Sequence, residues 1–309
     1  MKKGLIYRST GSWHIVESGG VFYSCRIKGN LRLKGIKSTN PVAVGDRVIF
    51  EVENNSIKPE GRIIEVEERK NYIIRKSVNL SRQTHIIASN IDLAFLMITI
   101  NNPPTFTVFI DRFLVTAEAY KIPVILLFNK IDTYIKKDLN TISSLKKIYE
   151  DIGYTAYEIS AKKSQNLENV KTLMQNKIIM ISGHSGVGKS TFINAIDPDV
   201  DIKTSAISDQ HMQGKHTTTF AEMHKLKGGI RIIDTPGIKG FGIVEMGPQE
   251  IGNYFPEFFQ RKDKCKFNNC LHHNEPNCAI KSAVKDGSIA QSRFNSYTQI
   301  LSEDSNYRN

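Results

Sequence analysis

The chain has 309 residues, 40% of them hydrophobic and 24% charged, enough for two or three domains with buried cores. Its net charge of +11, from 42 basic and 31 acidic residues, points to a polyanionic partner and says little about fold. The longest apolar runs, such as AFLMITI at 94 to 100, are too short to span a bilayer, the opening MKKGLIYRST lacks the core of a signal peptide, and three of four cysteines crowd between 265 and 278. These features exclude a disulfide-stapled secreted domain and lead to the expectation of a cytoplasmic protein with no membrane contact.

The first quarter holds most of the excess charge: 16 Lys and Arg against 8 Asp and Glu from Met1 to His85, a balance of +8. LIYRS, WHIVE, VFYSCRI, DRVIFEV and GRIIEVE are short strand-like runs separated by turn residues, with no helical period. They predict an all-β barrel over residues 1–72, OB-like by economy, and its basic surface suits RNA. Cys25, isolated on one of these runs, is expected to be a buried small residue.

From about residue 90 the pattern becomes α/β, with buried apolar runs alternating with helical stretches, and residues 73–246 are read as one α/β domain. IDLAFLMITI, PVILLFNK, AYEISAK and KIIMISG read as strands; FIDRFLVTAEAY, SSLKKIYEDI, LENVKTLMQ and STFINAI read as helices; FAEMHKL and IRIIDTPG read as a hairpin.

GHSGVGKS at 183 to 190 fits the phosphate-loop spacing and stands between a strand and a helix. Gly183, His184, Ser185, Gly186, Val187 and Gly188 would present backbone N–H groups to phosphates, with Lys189 reaching the β and γ groups, Ser190 binding Mg²⁺ and Thr191 following in the helix. NKID at 129 to 132 selects the base: Asp132 can accept both N1–H and N2–H of guanine, Asn129 meets the O6 and N7 side, and the Lys130 stem covers the ring. Ser160, Ala161 and Lys162 form an SAK end to the next strand, where a backbone N–H can support O6. In DTPG at 234 to 237, Asp234 would hold the magnesium shell and the Gly237 N–H would sense the γ-phosphate.

The segment HMQGKHTTTF between these motifs holds the magnesium-binding threonine, Thr218 or else Thr219. Ile238 stands where Ras-like proteins carry the glutamine that orients water. Slow intrinsic turnover is therefore expected, on the order of 10⁻² s⁻¹ or below, and His216 is the candidate for orienting water in an assembled state.

Cys265, Cys270, His272 and Cys278 follow C-x4-C-x-H-x5-C, three thiolates and an imidazole suited to a closed, structural Zn²⁺ site. Spacing alone leaves His272 and His273 open. The surrounding residues 247–309 read as a zinc-binding helical domain.

The motif order is inverted, with NKID and SAK upstream of the phosphate loop. Joining the ends of an ordinary GTPase and opening a break before IDLAFLMITI gives this order and keeps every motif at the same strand ends. What changes is the wiring, since the C-terminal segment now follows the second switch directly. NKID, SAK, GHSGVGKS, KHTTT and DTPG, preceded by a basic barrel and followed by the Cys/His cluster, closely resemble the circularly permuted RsgA (YjeQ/YloQ) GTPase family. The resemblance covers essentially the whole chain. It implies a monomeric OB barrel, GTPase and zinc-domain protein that acts on the 30S subunit in its late maturation. It also implies binding to 16S rRNA, GTP hydrolysis stimulated by the subunit and coupled to release, and His272 as the fourth zinc ligand.

Overall fold

The computed structural model describes residues 1–29, 41–53, 58–76, 84–200, 221–234 and 246–306. Five strands occupy the first part of the chain: β1 (Lys2–Thr10), β2 (Trp13–Ser18), β3 (Val21–Ile27), β4 (Arg47–Glu53) and β5 (Glu60–Val66). They pair in the order β1-β2-β3-β5-β4, and a further β1–β4 pairing closes the ring. Antiparallel neighbours are broken only by the parallel β3–β5 pair, the arrangement of an OB-type Greek-key barrel. Alternation along each strand puts Ile6, Val16, Tyr23, Cys25, Val48, Phe50 and Ile63 inside, so the predicted barrel and the buried Cys25 are both present.

A hairpin of β6 (Tyr72–Lys76) and β7 (Thr84–Ser89) follows. It was not among the predicted strands, because its short apolar runs carry no compact turn signal between them. Next come β8 (Leu93–Ile98), α1 (Thr107–Ala119), β9 (Val124–Phe128), α2 (Lys136–Asp151), β10 (Thr155–Glu158), α3 (Leu167–Met174), β11 (Ile178–Ser182), α4 (Lys189–Ile196), β12 (Glu222–Lys225) and β13 (Arg231–Asp234). The strands β10-β9-β8-β11-β13 are parallel and β12 is antiparallel at the end.

Strand β8 shows why its sequence is continuously apolar. Ala94, Leu96 and Ile98 pack with α1 and α2, whereas Leu93, Phe95 and Met97 pack with α3 and α4. Both faces are covered by helices, so no polar alternation is tolerated. The chain runs outward from β8 to β10 and then crosses back to place β11 on the other side of β8. This reversal opens a crevice at the carboxyl ends of β8 and β11, the place where open α/β sheets bind ligands.

The C-terminal segment contains short helical turns at Pro248–Ile251 and Pro256–Phe259, then α5 (Ala279–Lys285) and α6 (Gln291–Asn306). Its own core of Ile251, Phe255, Phe258, Ile280 and Tyr297 continues onto Val115 of α1. Among the described residues no helix is long and apolar enough to cross a membrane.

Candidate nucleotide site and metal cluster

The phosphate loop lies between β11 and α4, at the crevice. Gly183, Gly186 and Gly188 have φ of +141°, +80° and +100°. Two of them also permit close approach: a Cβ on Gly183 would lie 2.7 Å from the Met97 carbonyl oxygen, and one on Gly188 only 2.5 Å from Asn129 Nδ2. A side chain at either position would push the loop away from its supports. Lys189 Nζ donates to the carbonyls of Gly183 and His184, both at 2.8 Å. Val187 and Ser190 are buried, while Ser185, Gly186 and Thr191 are exposed.

Base motif and phosphate loop meet at Asn129, which is 2% exposed. Its Nδ2 donates to the Val187 carbonyl at 2.8 Å, and its Oδ1 accepts the Ala161 N–H at 3.0 Å. One side chain thus ties the NKID, SAK and phosphate loops together, a bracing role that sequence reasoning had not given it. Asp132 is exposed at the mouth, and one carboxylate oxygen accepts the hydroxyl of buried Ser160 at 2.5 Å. That bond fixes the carboxylate's orientation. Lys130 adopts a left-handed backbone, φ +69°, and its ammonium donates to the Asn102 carbonyl at 2.5 Å. Burial lowers the Lys130 pKa and Asp132 partly offsets it. Lys162 is exposed beside them.

A third wall comes from the loop after β8, which no sequence motif marks. Thr99 closes it, donating its hydroxyl to the Pro103 carbonyl at 2.6 Å and accepting the Thr105 N–H at its own carbonyl at 2.8 Å. A Cβ on Gly186 would stand 3.5 Å from Pro103 Cδ, so this loop packs directly against the phosphate loop. Asp234 ends β13, in register with Ile181 of β11, and so reaches the same edge. His216, Thr218, Thr219 and Gly237 lie outside the described residues.

The second cluster lies in the C-terminal segment. The ligand atoms of Cys265, Cys270, His272 and Cys278 are all within 4.8 Å of one another. Cys265 Sγ and Cys278 Sγ are 4.0 Å apart, and His272 Nδ1 is 3.6 and 3.4 Å from them. A tetrahedral ion with bonds of about 2.3 Å to sulfur and about 2.0 Å to nitrogen gives S–S and S–N edges of about 3.8 and about 3.5 Å. The three separations among Cys265, Cys278 and His272 lie close to these edges, and Cys270 stands within 4.8 Å of them, so the four residues suit such an ion. It also separates the two histidines: His272 is buried and turned inward by a left-handed backbone, φ +59°, whereas His273 is exposed and its N–H is taken by Glu275 at 2.8 Å.

Two family profiles match the chain: the RsgA N-terminal domain over residues 3–58 and the RsgA GTPase over residues 66–244. The chain belongs to the RsgA GTPase family. Among curated RsgA proteins, the small ribosomal subunit biogenesis GTPase RsgA of Christiangramia forsetii is 61% identical, over 99% of this chain and 98% of its own. RsgA 2 of Bacteroides thetaiotaomicron is 51% identical over 99% of both. Among solved structures, YjeQ from Thermotoga maritima aligns with a TM-score of 0.78 at 32% identity, covering 98% of each chain. YloQ, described as a circularly permuted GTPase, aligns at 0.73 and 28% identity over 99% of this chain and 96% of its own. The chain is accordingly a GTP hydrolase with a circularly permuted GTPase fold, an N-terminal barrel and a C-terminal Cys/His cluster.

In this RsgA chain one further group joins the parts. Arg293 of α6 is 1% exposed and donates to Asp111 of α1 at 2.6 Å and to Glu257 at 2.7 and 3.1 Å, while Tyr149 of α2 donates to Asp111 at 2.8 Å. This triad docks the C-terminal segment on the nucleotide-binding core. Its members lie 36 to 182 positions apart in sequence, which is why no motif discloses it.

Proposed function

We propose that the protein binds GTP with Mg²⁺ in the crevice between β8 and β11 and acts on the small (30S) ribosomal subunit, its hydrolysis stimulated there and coupled to release. The observation that carries the nucleotide reading is the meeting of three motif loops at the buried Asn129 side chain. In this reading Asp132, oriented by Ser160, accepts the two guanine donors, and Lys130 and Ala161 complete the base pocket. Lys189 exchanges its two carbonyl partners for phosphate oxygens, and the loop N–H groups line the phosphates. Ser190 with Thr218 or Thr219, and Asp234 through water, would hold Mg²⁺, which neutralises phosphate charge when bound. Gly237 contacts the γ-phosphate and His216 orients the attacking water.

The RNA contact, 16S rRNA in this proposal, falls to the barrel. Residues 1–72 carry 13 Lys and Arg against 8 Asp and Glu, and on the barrel Arg26 stacks 4.0 Å over the half-exposed Trp13 ring while Phe22 stands exposed. Charge with exposed aromatic faces is what stacking recognition of RNA requires. Zn²⁺ is the ion proposed for the cluster, because three thiolates and an imidazole gathered within 4.8 Å suit it and leave no open position for catalysis. The three parts are placed at 1–72, 73–246 and 247–309, in a cytoplasmic monomer.

Replacing Ser190 by Ala tests the coupling to release. An enzyme whose GTP cycle times its departure will accumulate on 30S particles or fail to load, in sucrose-gradient fractions of cells carrying S190A. A distribution identical to wild type would refute timing and leave a guanine-nucleotide sensor whose hydrolysis is incidental.

A further inference from the structure

The imidazole of His184 stacks on the phenyl ring of Phe109, with ring centroids 3.9 Å apart and planes 30° from parallel. Burial, then the neighbouring Lys189, keeps this imidazole below its ordinary pKa. Phe109 lies in the first turn of α1, directly after the loop that packs on Gly186. The backbone of His184 faces the other way: its carbonyl accepts Lys189 Nζ at 2.8 Å and the Val187 N–H at 3.5 Å. The ring is thus gripped from outside while the carbonyl holds the two groups that meet phosphate.

Helix α1 can serve as an anchor because both of its sides are fixed. Ile110, Phe113, Leu114 and Ala117 pack on the central sheet. Two residues beyond Phe109, and so on the opposite face, Asp111 is locked to Arg293 at 2.6 Å.

We propose that Phe109 is a positioning residue for the phosphate loop, holding its first half through the His184 stack so that Lys189 and the Val187 N–H stand ready for phosphate. The proposal rests on the reading of residues 183–190 as the GTP-phosphate site. It assigns the rigidity of that loop to a side chain outside every nucleotide-binding motif.

The test is GDP affinity by titration calorimetry on the full-length protein, with steady-state GTP hydrolysis alongside. Phe109→Ala and His184→Ala should each weaken GDP binding about three- to tenfold, the range expected for a lost aromatic pair. KM should rise by a similar factor with kcat held within twofold. Phe109→Tyr, which keeps the stack, should bind within twofold of wild type, and the double variant should lose no more than the worse single one. Affinities unchanged in His184→Ala and Phe109→Tyr alike, or losses that add in the double variant, would overturn the positioning role. Should Phe109→Ala fail to fold, His184→Ala and Phe109→Tyr still decide the matter. Wild-type protein that does not bind GDP would refute the phosphate-loop reading itself, and the proposal with it.

Discussion

At the residue scale, the proposed base pocket depends on a division of labour between Asn129 and Asp132. Asn129 is buried and committed to two loops, while Asp132 is exposed with one oxygen held by Ser160. Replacing Asp132 by Asn substitutes an amide donor for an acceptor facing two guanine donors. GDP affinity should fall by about two orders of magnitude. Xanthosine diphosphate, which offers a carbonyl at position 2, should gain in relative affinity; a calorimetric titration with both nucleotides checks this. In the barrel, His14 is fully buried with neither ring nitrogen hydrogen-bonded, and burial lowers its pKa from 6.5 to about 4, against the opposing pull of Asp46. Between those values the unfolded chain binds a proton that the folded chain does not, so stability falls as pH drops from about 6.5 towards about 4, by on the order of 2–3 kcal/mol. His14→Leu should flatten that slope in urea melts taken across the window, and stability at pH 7 should not fall.

At the element scale, α1 is the hub. Its apolar residues face the sheet on one side and the C-terminal core on the other, and its buried Asp111 meets Arg293. Arg293→Met would strand the carboxylates of Asp111 and Glu257 without a cation, which should cost about 3–5 kcal/mol and appear as a lowered denaturation midpoint. Much of the element plan was legible in the sequence. The apolar run of β8 and the glycine-flanked phosphate loop each carry a local signal, and the five barrel runs alternate as their burial demands. The cysteine spacing likewise foretold the cluster. Spacing leaves His272 and His273 open and the family resemblance favours His272; the structure brings that ring to the cysteines, turned inward by a left-handed backbone. The triad, the loop after β8 and the Phe109–His184 stack were invisible in the sequence: each depends on crossovers that bring distant segments together. Thr218, Thr219, His216 and Gly237 lie outside the described residues.

At the scale of the whole molecule, barrel and GTPase core share one sheet. Strand β1 pairs with β12 at Arg8 and Glu222, and the register of β1 shifts between Ile6 and Arg8. Tyr7 follows Ile6 and so points to the opposite face of β1: Ile6 lies in the barrel core and Tyr7 in the GTPase core, where its hydroxyl accepts a hydrogen bond from Arg231 at 3.2 Å. This contact and the β1–β12 pairing fasten the barrel to strands β12 and β13, which flank the segments assigned to the switches. The C-terminal segment follows the second of those segments directly. Both flanking parts therefore sit where a change at the nucleotide would reach them. The central claim, that the subunit completes an active site lacking its own water-orienting glutamine, is tested most directly by GTP hydrolysis of the purified protein alone, with 30S subunits and with 50S subunits at matched salt. Strong stimulation by 30S and none by 50S is the predicted result. Equal rates in all three conditions, with tight GTP binding intact, would contradict it.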